Sequence, residues 1–180
     1  KRNSEQISLK VEWVELQSNA PEFPVCMYTG KIDNKNELEK TWLDYPDYES
    51  ASKAGAINLK QDIRLLDNVV KKGVSHFFEL IDKKMITADE IDWFCCHYSS
   101  EFFKEPIKEL LLKGGANIPE EKWFTNLHSK GNTGAASIFI MLEELMYSGK
   151  LKNGQTILCM VPESGRFITS FIKLTVVGNR

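Results

Sequence analysis

Ile91-Asp92-Trp93-Phe94-Cys95-Cys96 is a nearly unbroken apolar run of strand length, and His97 follows it directly. A strand wet on one face alternates polar and apolar residues, whereas a run without alternation is the pattern of a strand covered on both faces by helices. The flanking sequence supplies those helices. Over Gln61 to Lys83, Ile63, Leu66, Val70, Val74, Phe77 and Ile81 recur at three- and four-residue steps and predict a helix with one buried face. Gly73 interrupts it at a cost of about 1 kcal/mol. A second helix is expected from about Glu101 to Lys113, with Pro106 a kink or late start and Gly114-Gly115 a left-handed stop. Trp123 to Leu127 reads as a further strand. Asn132 to Ser148 is apolar nearly all round its first turns (Ala135, Ala136, Ile138, Phe139) and predicts a central, buried helix ending at Gly149. Thr156 to Val161 and Phe167 to Val177 read as two strands whose short joint, Pro162-Glu163-Ser164-Gly165, permits only antiparallel pairing. Strands alternating with helices, then a closing hairpin, give an α/β layered fold with a mixed sheet.

Residues 61–177 are thus the expected core and residues 1–60 a periphery of strands and loop, all within one domain of 180 residues. Ser8 to Leu16 alternates and Val25 to Thr29 is a short apolar run after Pro24, which suggests a peripheral hairpin. Ile32 to Ala56 carries Pro46, Gly55 and three aromatics (Trp42, Tyr45, Tyr48) among charges. It is expected to be a long structureless connection, either a solvated loop pinned by its aromatics or a lid.

Composition narrows the function. With 23 basic and 25 acidic residues, a net charge of −2, and no clustering of Lys and Arg, there is no electrostatic case for nucleic acid. The longest apolar stretches, such as Ile138 to Leu142, fall far short of the roughly 20 residues that span a bilayer, and no signal peptide opens the chain. Cys26, Cys95, Cys96 and Cys159 lack the paired spacing of a zinc site and are too sparse for a disulfide scaffold. They are expected to be reduced thiols of a cytoplasmic protein that binds no metal. The chain opens on Lys1 rather than Met and runs almost at once into a strand, as a piece of something longer would.

In open α/β sheets, ligands sit in the crevice beyond the strand carboxyl ends. His97 follows the buried strand, Asn132 opens the buried helix, and Pro162 to Gly165 follows the next strand. An Asn at a helix start is commonly an N-cap, and a single His is commonly a packed structural residue, so neither residue alone identifies a site.

Gly131-Asn132-Thr133-Gly134-Ala135-Ala136-Ser137, followed by Leu145, Gly149-Lys150-Leu151-Lys152 and Gly154, closely resembles the C-terminal half of β-ketoacyl-acyl-carrier-protein synthase III, of the thiolase superfamily. The approach Asp89-Glu90-Ile91-Asp92 to His97 matches that family too, and the resemblance covers about Gln61 to Val177. It implies a thiolase-like half and a decarboxylating Claisen condensation at a Cys-His-Asn site. The substrates would be acyl and malonyl thioesters of coenzyme A or acyl carrier protein, in fatty acid or polyketide-type biosynthesis, with no covalently bound cofactor. It further implies an acyl carrier protein as partner, a dimer in the full enzyme, and an N-terminal half, absent here, that carries the nucleophilic Cys. His97 and Asn132 would be the catalytic pair. Loss of CO₂ from a malonyl thioester leaves an enolate oxygen, which a neutral imidazole N–H and a carboxamide NH₂ can stabilise without transferring a net charge.

The sequence departs from the family in three places. None of the four cysteines lies in the nucleophile's context: Cys96 points away from His97 on a strand, and Cys95 points the same way but reads as core. The family's Gln-Ala-Asn after the histidine is Tyr98-Ser99-Ser100 here. The glycine-rich loop that gives a backbone N–H to the acyl oxyanion hole is Glu163-Ser164-Gly165-Arg166, in which only Gly165 matches. Glu163 is either an extra acid or base, for a second condensation or a ring closure, or the partner of Arg166 on the surface. His76 and His128 read as structural. Lys104, Lys108 and Lys113 form a row that either meets an acidic carrier protein or is a solvated face. Two functions fit: the catalytic half of a condensing acyltransferase, inactive without the cysteine half, or a non-catalytic, regulatory half of a heteromeric ketosynthase that binds a partner subunit.

Overall fold

The apolar run is a strand covered on both faces, as its lack of alternation requires. The computed structural model describes residues 7–33, 35 and 38–178. Its strands are β1 (Ser8–Ser18), β2 (Met27–Ile32), β3 (Leu38–Thr41), β4 (Leu59–Gln61), β5 (Trp93–Cys96), β6 (Thr156–Glu163) and β7 (Ile168–Val177). Its helices are α1 (Tyr48–Lys53), α2 (Leu66–Asp82), α3 (Lys104–Lys113), α4 (Leu127–Lys130) and α5 (Ser137–Tyr147), with single 3-10 turns between. The chain divides at 17/18, 69/70, 162/163 and 168/169 into two units.

The first unit, the chain up to Gln17 with Val70–Pro162 and Thr169 onward, holds a four-stranded sheet in the order β1-β7-β6-β5. β5 and β6 are parallel, with Phe94 opposite Leu158 and Cys95 opposite Cys159; the short joint from β6 to β7 makes that pair antiparallel. The sheet is mixed, as expected. Successive residues face opposite layers. Phe94, Cys96, Leu158, Met160 and Phe171 pack with Phe77 and Leu80 of α2 and Ile107 and Leu111 of α3. Cys95, Ile157, Cys159, Leu174 and Val176 pack with Ile138, Met141 and Leu145 of α5. Gly73 has its reason in this packing: a Cβ there would lie 2.6 Å from Met160 Cε, so the glycine lets α2 approach the sheet.

The second unit, Ser18–Val69 with Glu163–Ile168, is built on an antiparallel sheet in the order β3-β2-β4. Cys26, Val69 and Phe167 are its buried apolar cluster. Phe23 stacks on Phe167 at 4.2 Å, and Phe167 sits at φ +54, a strained conformation for a bulky residue that the stack and the Asn19 N–H to Phe167 carbonyl bond (2.8 Å) hold in place.

Four expectations are corrected. β1 and β2 are not a hairpin: β1 is the edge of the four-stranded sheet and β2 the centre of the other, since alternation identifies a strand but not its partner. The stretch Ile32 to Ala56 is not structureless, for it contains β3, a 3-10 turn and α1. Side-chain caps build those elements: Asp44 accepts the Thr41 N–H at 2.7 Å and Asp47 accepts that of Ser50 at 2.7 Å. Trp123 to Leu127 contributes only one parallel bridge, Phe94 to Trp123, because α4 begins at Leu127. Finally, α5 is buried on one face only. Ala135 and Ala136 are exposed and Phe139 is 67% exposed, so the apolar residues all round its start are not all core. No described helix is long and apolar enough to cross a membrane.

Candidate active site

His97 and Asn132 belong to the first unit, Glu163 and Gly165 to the second. His97 extends the β5–β6 ladder by one residue, its N–H donating to the Met160 carbonyl at 2.8 Å. Its backbone is thereby fixed at the carboxyl end of a parallel pair, the position from which such sheets present ligand groups. The residue is buried, and burial holds its pKa below the usual histidine range. The ring is therefore neutral near pH 7, with one nitrogen carrying a proton to donate. Among the described residues that ring has no hydrogen-bond partner. It borders a cavity of about 10 Å³, shared with Tyr98, Thr125, Asn126, Gly131 and Ser137, which is about the space of one water. Burial pushes the Tyr98 phenol up to about 12.

Asn132 does not line that cavity but contacts the segment that leaves the strand. Its Oδ1 accepts the Gly134 N–H at 2.9 Å, and its Nδ2 donates to the carbonyl of Ser99, two residues past His97, at 3.5 Å. The first bond fixes which end of the amide is oxygen; the second uses one of two N–H protons and leaves the other uncommitted. Asn132 is exposed, so a substrate can reach that proton. The side chain thus closes the turn that starts the helix. The helix itself opens with a 3-10 turn, Gly134–Ala136, and Ser137 Oγ caps the turn by accepting the Thr133 N–H at 3.1 Å.

Glu163 lies in the second unit. Its carboxylate accepts the backbone N–H of Gly165 and, at 3.0 Å, that of Arg166. Its contact with Arg166 is to the backbone rather than the guanidinium. Gly165 is buried and its carbonyl accepts the Cys26 N–H at 3.0 Å. The Gly165 N–H that the resemblance assigns to an acyl oxyanion is therefore already engaged, and an oxyanion there would have to displace Glu163. Glu163→Gln keeps an acceptor oxygen and should leave the product profile of the enzyme unchanged, while Glu163→Ala should cost about 1 kcal/mol of stability in urea unfolding. A product profile altered by Glu163→Gln would return Glu163 to the chemistry.

The other residues resolve simply. All four cysteines are free and buried; burial raises the thiol pKa of Cys96 and Cys26, and a hydrogen bond that the Cys95 thiol donates to Cys159, together with burial, raises that of Cys95. None has the electropositive, accessible setting of a nucleophile. Lys104 and Lys108 both pair with Glu120, and Lys113 with Glu109, so the lysine row has its acidic partners within the chain. His128 is exposed in α4. His76 is buried edge-on against Phe171 with its Nδ1 unpartnered, and burial lowers its pKa. Because His76 and His97 bind protons more weakly folded than unfolded, the stability they contribute is complete above the ordinary histidine pKa of about 6.5 and is lost as pH falls through their folded values. Urea midpoints should drop between about pH 7.5 and 5.5, and His76→Leu should flatten that drop; an unchanged slope would contradict the assignment.

One polar contact was invisible to the sequence reading. Asn126, buried before α4, donates its Nδ2 to Glu144 of α5 at 2.8 Å. An Asn followed by a one-turn helix was the available signal, obscured by the strand-like run Trp123-Phe124-Thr125.

The family model described as 3-oxoacyl-[acyl-carrier-protein (ACP)] synthase III C terminal matches residues 81–172. The β-ketoacyl-[acyl-carrier-protein] synthase III of Microcystis aeruginosa is 29% identical over 174 residues, covering 81% of this chain and 50% of that protein. The chain thus spans about half the length of that relative. Among solved structures, the 3-oxoacyl-(acyl carrier protein) synthase III of Pseudomonas aeruginosa superposes with a TM-score of 0.67 at 16% identity, over 98% of this chain and 49% of the other. Xanthomonas campestris OleA, solved with bound lauric acid and lauroyl-CoA, gives 0.66 at 20% identity over 93% and 41%. At such identities the two structures show the shared fold.

Proposed function

Because the chain belongs to the family of 3-oxoacyl-[acyl-carrier-protein] synthase III C-terminal domains, we propose that it is the donor half of a decarboxylating condensing enzyme acting on acyl and malonyl thioesters. The observation that supports this most is the Asn132 amide, held through its oxygen by the Gly134 N–H with its nitrogen 3.5 Å from the Ser99 carbonyl, two residues past the buried, neutral His97. In this reading the malonyl thioester oxygen accepts from both groups as CO₂ leaves. Donors aimed at the oxygen where charge develops are what lowers such a barrier.

The nucleophile comes from elsewhere. An N-terminal half carrying an activated cysteine supplies it, and the exposed start of α5, with Ala135, Ala136 and Phe139, is suited to packing against such a half. The thioesters are carried by coenzyme A or acyl carrier protein in fatty acid or polyketide-type biosynthesis, and the reduced cysteines suit the cytoplasm. Mixing this chain with a polypeptide bearing the cysteine half, and following β-ketoacyl thioester formation by mass spectrometry, tests the reading. Product is expected from the mixture and none from this chain alone; product from the chain alone would overturn the division of labour. The regulatory alternative rests on the engaged Gly165 N–H, and a mixture that stays inactive while forming a stable complex would favour it.

A further inference from the structure

We propose that Asn126 is a positioning residue for Asn132, acting through its bond to Glu144. The proposal rests on the reading of His97 and Asn132 as the donor pair. Asn126 is 4% exposed, and its bond to the Glu144 carboxylate at 2.8 Å is charge-assisted. Its carbonyl also accepts the N–H groups of Ser129 and Lys130, at 3.0 and 2.9 Å, so Asn126 anchors the first turn of α4. Gly131, at φ +72, ends that helix and turns the chain directly into Asn132. At the far end Thr133 is tied to Ser137 by its N–H, at 3.1 Å, and by its hydroxyl, at 2.9 Å.

The segment 126–133 is therefore clamped to α5 at both ends, and Asn132 lies between the clamps. Glu144 and Ser137 stand seven residues apart, two helical turns, on one side of α5. The loop's geometry is thus set by a rigid helix. Asn126 also borders the cavity that His97 borders, so a shift at this clamp moves the loop relative to the imidazole. Displacements of about 1 Å in a donor can cost about 10²-fold in rate. Asn126 need touch no substrate to matter.

The test measures kcat and KM separately for malonyl-thioester decarboxylation in the cysteine-bearing enzyme. Asn126→Ala and Glu144→Ala should each lower kcat by about 10-fold or more with KM little changed, and the double variant should be no worse than either single one, since both break the same bond. Glu144→Gln keeps an acceptor and should restore most of the rate. A folded Asn126→Ala with normal kcat, or losses that multiply in the double variant, would overturn the proposal. Should Asn126→Ala fail to fold, Glu144→Ala breaks the same bond from the exposed face of α5 and decides alone. His97→Ala separates the two levels: an undiminished rate there sinks the donor pair and the positioning role with it, whereas a His97-dependent rate that ignores Asn126 and Glu144 sinks only the positioning role.

Discussion

Alanine at His97 or at Asn132 should each lower malonyl-thioester decarboxylation by about 10²–10³-fold, the usual effect of removing one donor from a preorganised oxyanion site. The expected loss is in kcat rather than KM, because the two N–H groups meet an oxygen whose charge grows only as CO₂ departs. The two sites should not behave alike in stability. Asn132 also holds the Gly134 N–H, so its removal frees a turn at the start of α5 and should cost about 1 kcal/mol. His97→Ala deletes a ring without a partner and should cost mainly its packing. Asn132→Asp keeps the acceptor for Gly134 but loses the N–H donor, so it should fold normally and decarboxylate as poorly as Asn132→Ala. Normal activity in Asn132→Asp would show that the amide is only a structural cap.

Phe94→Ala should destabilise the first unit by about 3–5 kcal/mol, the range for a buried Phe lost from a core. Phe94 is fully buried and meets the Trp123 ring edge-on at 4.7 Å. Its carbonyl also accepts the Phe124 N–H at 3.0 Å, on the run that leads to Asn126. A loss of that size is a large fraction of the stability of an ordinary domain, about 5–15 kcal/mol. Urea unfolding followed by tryptophan fluorescence reads it, and a loss below about 1 kcal/mol would mean that the strand is not the centre of the core.

The centre of the fold was legible because burial on both faces leaves a mark in sequence. A run like Trp93 to Cys96 has no polar face to turn outward, and α2 and α3 show their stripes at helical spacing. Partnership left no such mark. β1 alternates as an edge strand should, yet nothing in Ser8 to Leu16 says which sheet it joins. Ile32 to Ala56 reads as loop because its elements are short and held by aspartate caps rather than by apolar periodicity. The start of α5 misleads in the opposite sense: Ala135, Ala136 and Phe139 are apolar but exposed. In the site, His97 and Asn132 were found through their neighbours in sequence. The Asn126–Glu144 bond, between residues eighteen positions apart, depends on how the loop folds back and has no local signature. Glu163 was noticed for its charge, whereas its observed bonds are those of a side chain closing its own turn.

The most direct measurement is a crystal structure of the cysteine-bearing enzyme with a non-hydrolysable malonyl-thioester analogue. A single thioester oxygen should lie about 3 Å from both a ring nitrogen of His97 and Asn132 Nδ2. An analogue oxygen held by only one of them, or an Asn132 amide pointing solely at the Ser99 carbonyl, would contradict the shared-donor site.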